Sequence, residues 1–135
     1  MKHHLLISFI FVIFISCQTN NSENSSKKHE AELPLQPIAK DVTAEVFKDL
    51  LETNIGTLID VRTPEEFKNG SIGNAQNIDF LDSQFVNNID LLDRSKPVYV
   101  FCQAGGRSGR AMKTLKENGF TEVYNLIGGY GQWPF

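Results

Sequence analysis

The stretch from Pro97 to Leu115 constrains this chain most. Val98-Tyr99-Val100-Phe101 is apolar throughout, which marks a short strand buried on both faces. Cys102-Gln103-Ala104-Gly105-Gly106-Arg107-Ser108 follows as a tight loop, and Gly109-Arg110-Ala111-Met112-Lys113-Thr114-Leu115 has the composition of a helix. A thiol therefore stands where a strand ends and faces the start of a helix. Backbone N–H groups are unpaired at such a start, and the helix dipole favours negative charge there. Gly105 and Gly106 allow the backbone to fold back around the sulfur, where successive N–H groups form an anion nest. Arg107 adds a permanent cation with a fork of donors. Each of these lowers a thiol pKa, and the thiolate is the nucleophile.

The flanking sequence supplies more strands and helices in alternation. Residues 38–42 predict a first strand. Thr43 is placed to cap a helix running to about Glu52, with Val46, Phe47, Leu50 and Leu51 on one face. Residues 57–61 predict a buried strand. Thr63 and Glu66 have capping-box spacing, with Pro64 at the first helical position and Gly70 as the stop. Capping and dipole complementation account for Glu65 and Glu66. Asp82 or Ser83 predicts the start of another helix, with Phe85, Val86, Ile89 and Leu92 as its apolar residues. Asn118-Gly119 ends the helix that follows the Cys102 loop. Residues 122–126 predict the last strand, and Trp133 a core plug. Alternation of this kind implies an α/β fold, a parallel sheet of four to five strands with helices on both faces. Sites in such sheets lie beyond the carboxyl ends of strands, where Cys102 is.

Three motifs resemble the rhodanese family, in the family's order. Cys102-Gln103-Ala104-Gly105-Gly106-Arg107-Ser108 is similar to its active-site loop C-x-x-G-x-R-S. Asp60-Val61-Arg62-Thr63-Pro64-Glu65-Glu66-Phe67 is similar to D-V-R-x-x-x-E-[FY]. Gly128-Gly129-Tyr130-Gly131-Gln132-Trp133 is similar to the closing G-G-x-x-x-W. The chain departs from the family's G-H-I-P-G-A-x-N-I in Ser71, Gly73 and Asn74, which implies a change in loop stiffness rather than in chemistry. The resemblance spans residues 38–133 and implies a rhodanese-like fold. It also implies a sulfurtransferase in which Cys102 takes a sulfane sulfur, holds it as a persulfide and passes it on. Gln103, Ala104, Gly105, Gly106, Arg107 and Ser108 would bind the anionic donor. Asp60 and Arg62 would brace the neighbouring turns. Four residues separate Cys102 from Arg107, where Cys-dependent phosphatases have five, so the ring is sized for one extra sulfur rather than a tetrahedral oxyanion. Two alternatives stay open: a non-enzymatic sulfur carrier or partner-binding module, and a Cys-dependent phosphatase or arsenate reductase.

Histidine and cysteine usage narrows the chemistry. His3, His4 and His29 all precede Leu33, so no histidine is available within residues 33–135 to activate Cys102. The same shortage excludes a Cys/His zinc site and implies neither metal nor cofactor. A net charge of -3, with no Lys/Arg-rich run, argues against a nucleic-acid partner.

The N-terminal part has a different character. Residues 5–15 form an apolar run too short to span a bilayer, which takes about 20 residues. The run matches a signal-peptide core, giving residues 1–16 as signal peptide. Phe14-Ile15-Ser16-Cys17 resembles a bacterial lipoprotein processing site, with Cys17 as the lipidated residue. Residues 17–32 read as a flexible, lipid-anchored linker, and residues 33–135 as the folded domain. The expected partners are a small sulfur-containing anion as donor, a thiol or protein acceptor, and a membrane reached through the lipid. The expected location is the bacterial cell envelope, with a monomeric domain facing the periplasm or the exterior.

Overall fold

Strand β4 (Val98–Phe101) is buried at all four positions and lies in the middle of a five-stranded sheet. The structure, a computed structural model, describes residues 36–135. The readings placed on residues 1–35, including the signal peptide, Cys17 and the linker, lie outside the described residues. The other strands are β1 (Ile38–Val42), β2 (Thr57–Asp60), β3 (Gln76–Asn77) and β5 (Glu122–Leu126). Their order across the sheet is β1-β5-β4-β2-β3, and every pairing is parallel. The expected α/β architecture is present, at the upper strand count.

Alternation along β4 sends side chains to two separate cores. Val98 and Val100 join Ile59, Val61, Ile89, Ala111, Leu115 and Val123 on one face. Helices α3 (Phe85–Ile89) and α4 (Gly106–Glu117) cover it. Tyr99 and Phe101 join Leu58, Leu126 and Phe47 of α1 (Ala44–Thr53) on the other. Phe47 meets both Tyr99 and Trp133 edge-on at 6.0 Å between centroids, so Trp133 closes the α1 face. Burying a side chain such as Phe47 fully contributes about 1.5–3 kcal/mol.

Caps fix where the helices begin. Thr43 accepts from the Val46 N–H at the start of α1. At α2 (Pro64–Lys68), Thr63 Oγ1 accepts from the Glu66 N–H while Glu66 Oε2 accepts from the Thr63 N–H, completing the capping box. Three details differ from expectation. Val46 is exposed, because Phe47, Leu50 and Leu51 already complete the inward stripe of α1. Helix α3 begins at Phe85, since the Asp82 side chain first accepts from the Gln84 N–H in a local turn. Helix α4 begins at Gly106, three residues before the expected start, so Arg107 and Ser108 belong to its first turn.

Register sets the level of the functional end. Asp60 pairs with Phe101, and the Val61 N–H donates to the Phe101 carbonyl at 2.9 Å. Asp60, Arg62 and Cys102 therefore emerge together at the carboxyl edge of β2 and β4.

Candidate active site

Cys102 is the first residue after β4 and is buried, at 2 % exposed. Gly105 has φ +91°, a left-handed conformation that turns the loop back toward the sulfur. The turn brings the Gly105 N–H to 3.1 Å from Cys102 Sγ. Ser108, fully buried in the first turn of α4, places its hydroxyl 3.4 Å from the sulfur and 3.1 Å from the Gly105 carbonyl. A hydroxyl carries one proton, so it donates to one of these acceptors at a time, and an ionised sulfur draws it inward. Burial is the largest single influence on the thiol and pushes its pKa up. The Ser108 hydroxyl and the N–H groups of Ser108, Ala104 and Gly105 together outweigh it, leaving the pKa below the ordinary thiol value. The site is thus a water-poor niche lined with donors that favour the ionised form of the sulfur.

The C-terminal turn forms the floor beneath this loop. Tyr130 N–H donates to the Cys102 carbonyl at 2.7 Å and Gly131 N–H to the Gln103 carbonyl at 2.9 Å. Gly129 passes directly against the same backbone. A Cβ there would collide with the Cys102 carbonyl oxygen and lie 2.8 Å from the Ala104 nitrogen. The closing glycine motif therefore sets the seat of the Cys102 loop, a role for Gly129 and Tyr130 that is invisible in their local sequence.

Asp60 and Arg62 form a closed pair beside the loop. Arg62 Nη2 donates to Asp60 Oδ2 at 2.7 Å, and both side chains are at most 2 % exposed. The same nitrogen donates to the Gly70 carbonyl at 2.6 Å, and Nη1 reaches Gln103 Oε1 at 3.3 Å. The guanidinium lies 4.1 Å from the Tyr130 ring centroid. Ser71 donates to Asp60 Oδ2 at 2.8 Å, so the residue standing where the family has histidine joins the same network. Arg62 thereby links the loop after α2, the Cys102 loop and the C-terminal turn.

Arg107 is not a free cation. It donates through Nη1 and Nη2 to Glu66, at 2.7 and 2.6 Å, a bidentate pair across 41 residues of sequence. Arg107 holds the Glu66 carboxyl down at about 2, against the pull of burial. Glu66 thus caps α2 and ties it to the first turn of α4. Its spacing shows the cap, but nothing local in the sequence shows the second partner. Gln103, Ala104 and Gly106 are exposed on the rim, while Gly105 and Arg107 are half-buried. Among the described residues, no group of three or more His, Cys, Asp or Glu gathers as a metal site requires.

Comparison with known proteins matches this arrangement to a family. The rhodanese-like domain model matches residues 43–134. YqhL of Bacillus subtilis, an uncharacterized protein, is 45% identical over 98 residues, covering 73% of this chain and 75% of that protein. The chloroplastic thiosulfate sulfurtransferase 16 of Arabidopsis thaliana is 36% identical over 106 residues, covering 71% and 88%. The crystal structure of a rhodanese-like domain protein from Staphylococcus aureus superposes with a TM-score of 0.62 at 30% identity, covering 70% of this chain and 90% of that one. The strand–thiol–helix junction, the Asp60–Arg62 pair and the closing glycines together are those of a member of the rhodanese-like domain family, to which this chain belongs.

Proposed function

We propose that this protein is a sulfurtransferase working through a persulfide on Cys102. The observation that carries the reading is the convergence of the Gly105 N–H and the Ser108 hydroxyl on one buried sulfur at the head of α4. The Cys102 thiolate attacks the outer sulfur of a sulfane donor such as thiosulfate. A new S–S bond forms at Cys102, the donor's S–S bond breaks, and its electron pair leaves on sulfite or on the donor thiolate. An acceptor thiol or cyanide then attacks the outer sulfur of the Cys102 persulfide and regenerates the thiolate, a two-step exchange with ping-pong kinetics. Arg107, held by Glu66, positions the first turn of α4 around the transferred sulfur. The thiosulfate sulfurtransferase relative supports this assignment.

Mass measurement before and after thiosulfate tests the reading. The expected result is a gain of one sulfur atom that cyanide reverses and that Cys102→Ser abolishes together with turnover. Retention of full sulfur transfer by Cys102→Ser overturns it, and a persulfide that cyanide reverses without catalytic turnover marks a carrier instead.

The leader sequence adds a location. Lipid on Cys17 would hold a monomeric domain at the cell envelope, facing the periplasm or the exterior, within reach of thiol or protein acceptors. Release of Cys17→Ala into the soluble fraction is the expected outcome, and membrane retention of that variant overturns the anchor.

A further inference from the structure

We propose that Asn69-Gly70 is a site of spontaneous deamidation whose isoaspartyl product loosens the seat of the Cys102 loop. The chain has a second Asn-Gly pair, Asn118-Gly119, and the fold protects that one. The chemistry uses only a carboxamide, a backbone nitrogen and water, so it holds whether or not Cys102 transfers sulfur.

Asparagine is most open to this reaction when glycine follows, because glycine has no Cβ to shield its nitrogen. The Gly70 nitrogen loses its proton to solvent and attacks Asn69 Cγ. A C–N bond closes a succinimide ring, the Cγ–Nδ2 bond breaks, and the amide leaves as ammonia with a proton from water. One water then opens the ring. Opening at the Cγ carbonyl gives aspartate. Opening at the backbone carbonyl gives isoaspartate, whose main chain runs through the side chain.

The two pairs are built alike and held differently. Each Asn ends a helix and each Gly follows with positive φ, +117° at Gly70 and +86° at Gly119. Each Asn Nδ2 donates to a carbonyl four residues back, Glu65 at 3.0 Å and Thr114 at 2.8 Å. Each Gly N–H donates three residues back, to Phe67 at 3.0 Å and to Lys116 at 3.1 Å. These bonds hold the carboxamide back along the helix and occupy the glycine N–H, so the last turn must open before the ring can close. At Asn118 that turn belongs to α4, which is 12 residues long and buries Ser108, Ala111 and Leu115. Buried Phe120 closes it by donating to the Leu115 carbonyl at 3.1 Å, and Arg94 Nε donates to the Asn118 carbonyl at 2.9 Å. At Asn69 the turn belongs to α2, which is 5 residues long with none buried, and Asn69 itself is exposed. A helix that short opens readily unless it is tied elsewhere. Its tie is Glu66, through the capping box and the bidentate pair with Arg107.

The consequence reaches Cys102 through Gly70. The Gly70 carbonyl accepts from Arg62 Nη2 at 2.6 Å, and an added Cβ at Gly70 would lie 2.6 Å from the Tyr130 hydroxyl. Arg62 in turn holds Gln103, and the Tyr130 N–H holds the Cys102 carbonyl. Isoaspartate adds a methylene to the main chain just before Gly70 and so displaces both contacts. Aspartate adds none.

The test incubates the full chain in detergent at mildly alkaline pH. Peptide mapping by mass spectrometry follows the gain of one mass unit at each site, with aspartyl and isoaspartyl peptides separated. Conversion at Asn69 should run at least about tenfold faster than at Asn118. Arg107→Ala, which unties α2, should speed Asn69 by roughly three- to tenfold and leave Asn118 unchanged, whereas more frequent global unfolding would speed both. The isoaspartyl form should show a higher pH midpoint for Cys102 alkylation, as the loop donors lose their seat, while Asn69→Asp keeps the parent's midpoint. Equal rates at the two asparagines, or an Arg107→Ala protein that speeds neither or both, overturn the proposal. An isoaspartyl form that titrates like the parent overturns its link to Cys102.

Discussion

Two arginines stand within the same end of the sheet, each bound to a carboxylate, and their surroundings differ. Arg62 and Asp60 are buried to within 2 % of completely. Arg107 and Glu66 remain 19 % and 31 % exposed. Arg62 has four kinds of partner: Asp60, the Gly70 carbonyl, Gln103 and the Tyr130 ring. Arg107 has Glu66. The first pair holds three segments of backbone in one arrangement and has no contact with solvent through which to act on a substrate. The second ties two helix starts at the rim of the Cys102 site. An identical charge pairing therefore serves as framework in one place and as part of the site's entrance in the other, and burial decides which.

Breaking the buried pair should have the largest effect. Arg62→Ala leaves the Asp60 carboxylate buried without its counter-charge, a loss of about 3–5 kcal/mol. In a domain of this size that lowers the melting temperature by more than about 12 °C, measurable by thermal denaturation. Arg62→Lys should recover only part of it, because one ammonium cannot replace the fork that meets Asp60, Gly70 and Gln103 together. If Arg62→Ala melts within about 4 °C of the parent, the pair is not framework and the contrast between the arginines fails.

Arg107→Ala should give the opposite profile. An ion pair of this exposure contributes about 1 kcal/mol to stability, so melting should move by only about 4–8 °C. Sulfur-transfer kcat/KM should fall by about 10- to 100-fold, since the first turn of α4 loses its tie to α2 and Cys102 loses a nearby cation. The pH midpoint for alkylation of Cys102 should rise, because a cation that favoured the thiolate is gone. Ser108→Ala should raise that midpoint as well. Equal alkylation midpoints in Arg107→Ala and the parent would assign the thiolate entirely to the loop N–H groups and Ser108.

The two arginines also differ in how far they are legible in the sequence. Asp60 and Arg62 are two residues apart, so their pairing follows from a strand end meeting a turn. The strand, the thiol and the capping box are similarly local, and each rests on composition within a few positions. Arg107 and Glu66 are 41 residues apart, and their contact depends on the order β5-β4-β2, which places α2 beside the start of α4. Local spacing accounts fully for Glu66 as a cap and so conceals its second partner. The early start of α4 has the same origin. Gly105-Gly106 and Gly109 are poor helix formers, but the parallel pairing of β4 with its neighbours fixes the loop and begins the helix at Gly106 regardless.

The smallest expected effect is an acid titration, and it sharpens the contrast by charge alone. Arg107 lowers the Glu66 carboxyl from 4.5 to about 2. A carboxylate depressed in the folded state stabilises fully above its unfolded value and loses that contribution as protons bind the folded form. The Glu66 contribution is therefore complete above about pH 4.5 and disappears as the pH falls toward about 2. Glu66→Gln keeps a hydrogen-bond acceptor for Thr63 and Arg107 but has no charge to titrate. Against the parent, this variant should be less stable near neutrality by about 1 kcal/mol, and the gap should close as the pH falls from about 4.5 to about 2. Urea melts across that range measure both curves. A gap that stays constant would mean that the Glu66 carboxylate owes its role at the rim to shape and hydrogen bonding, with the charge of Arg107 contributing nothing to the fold.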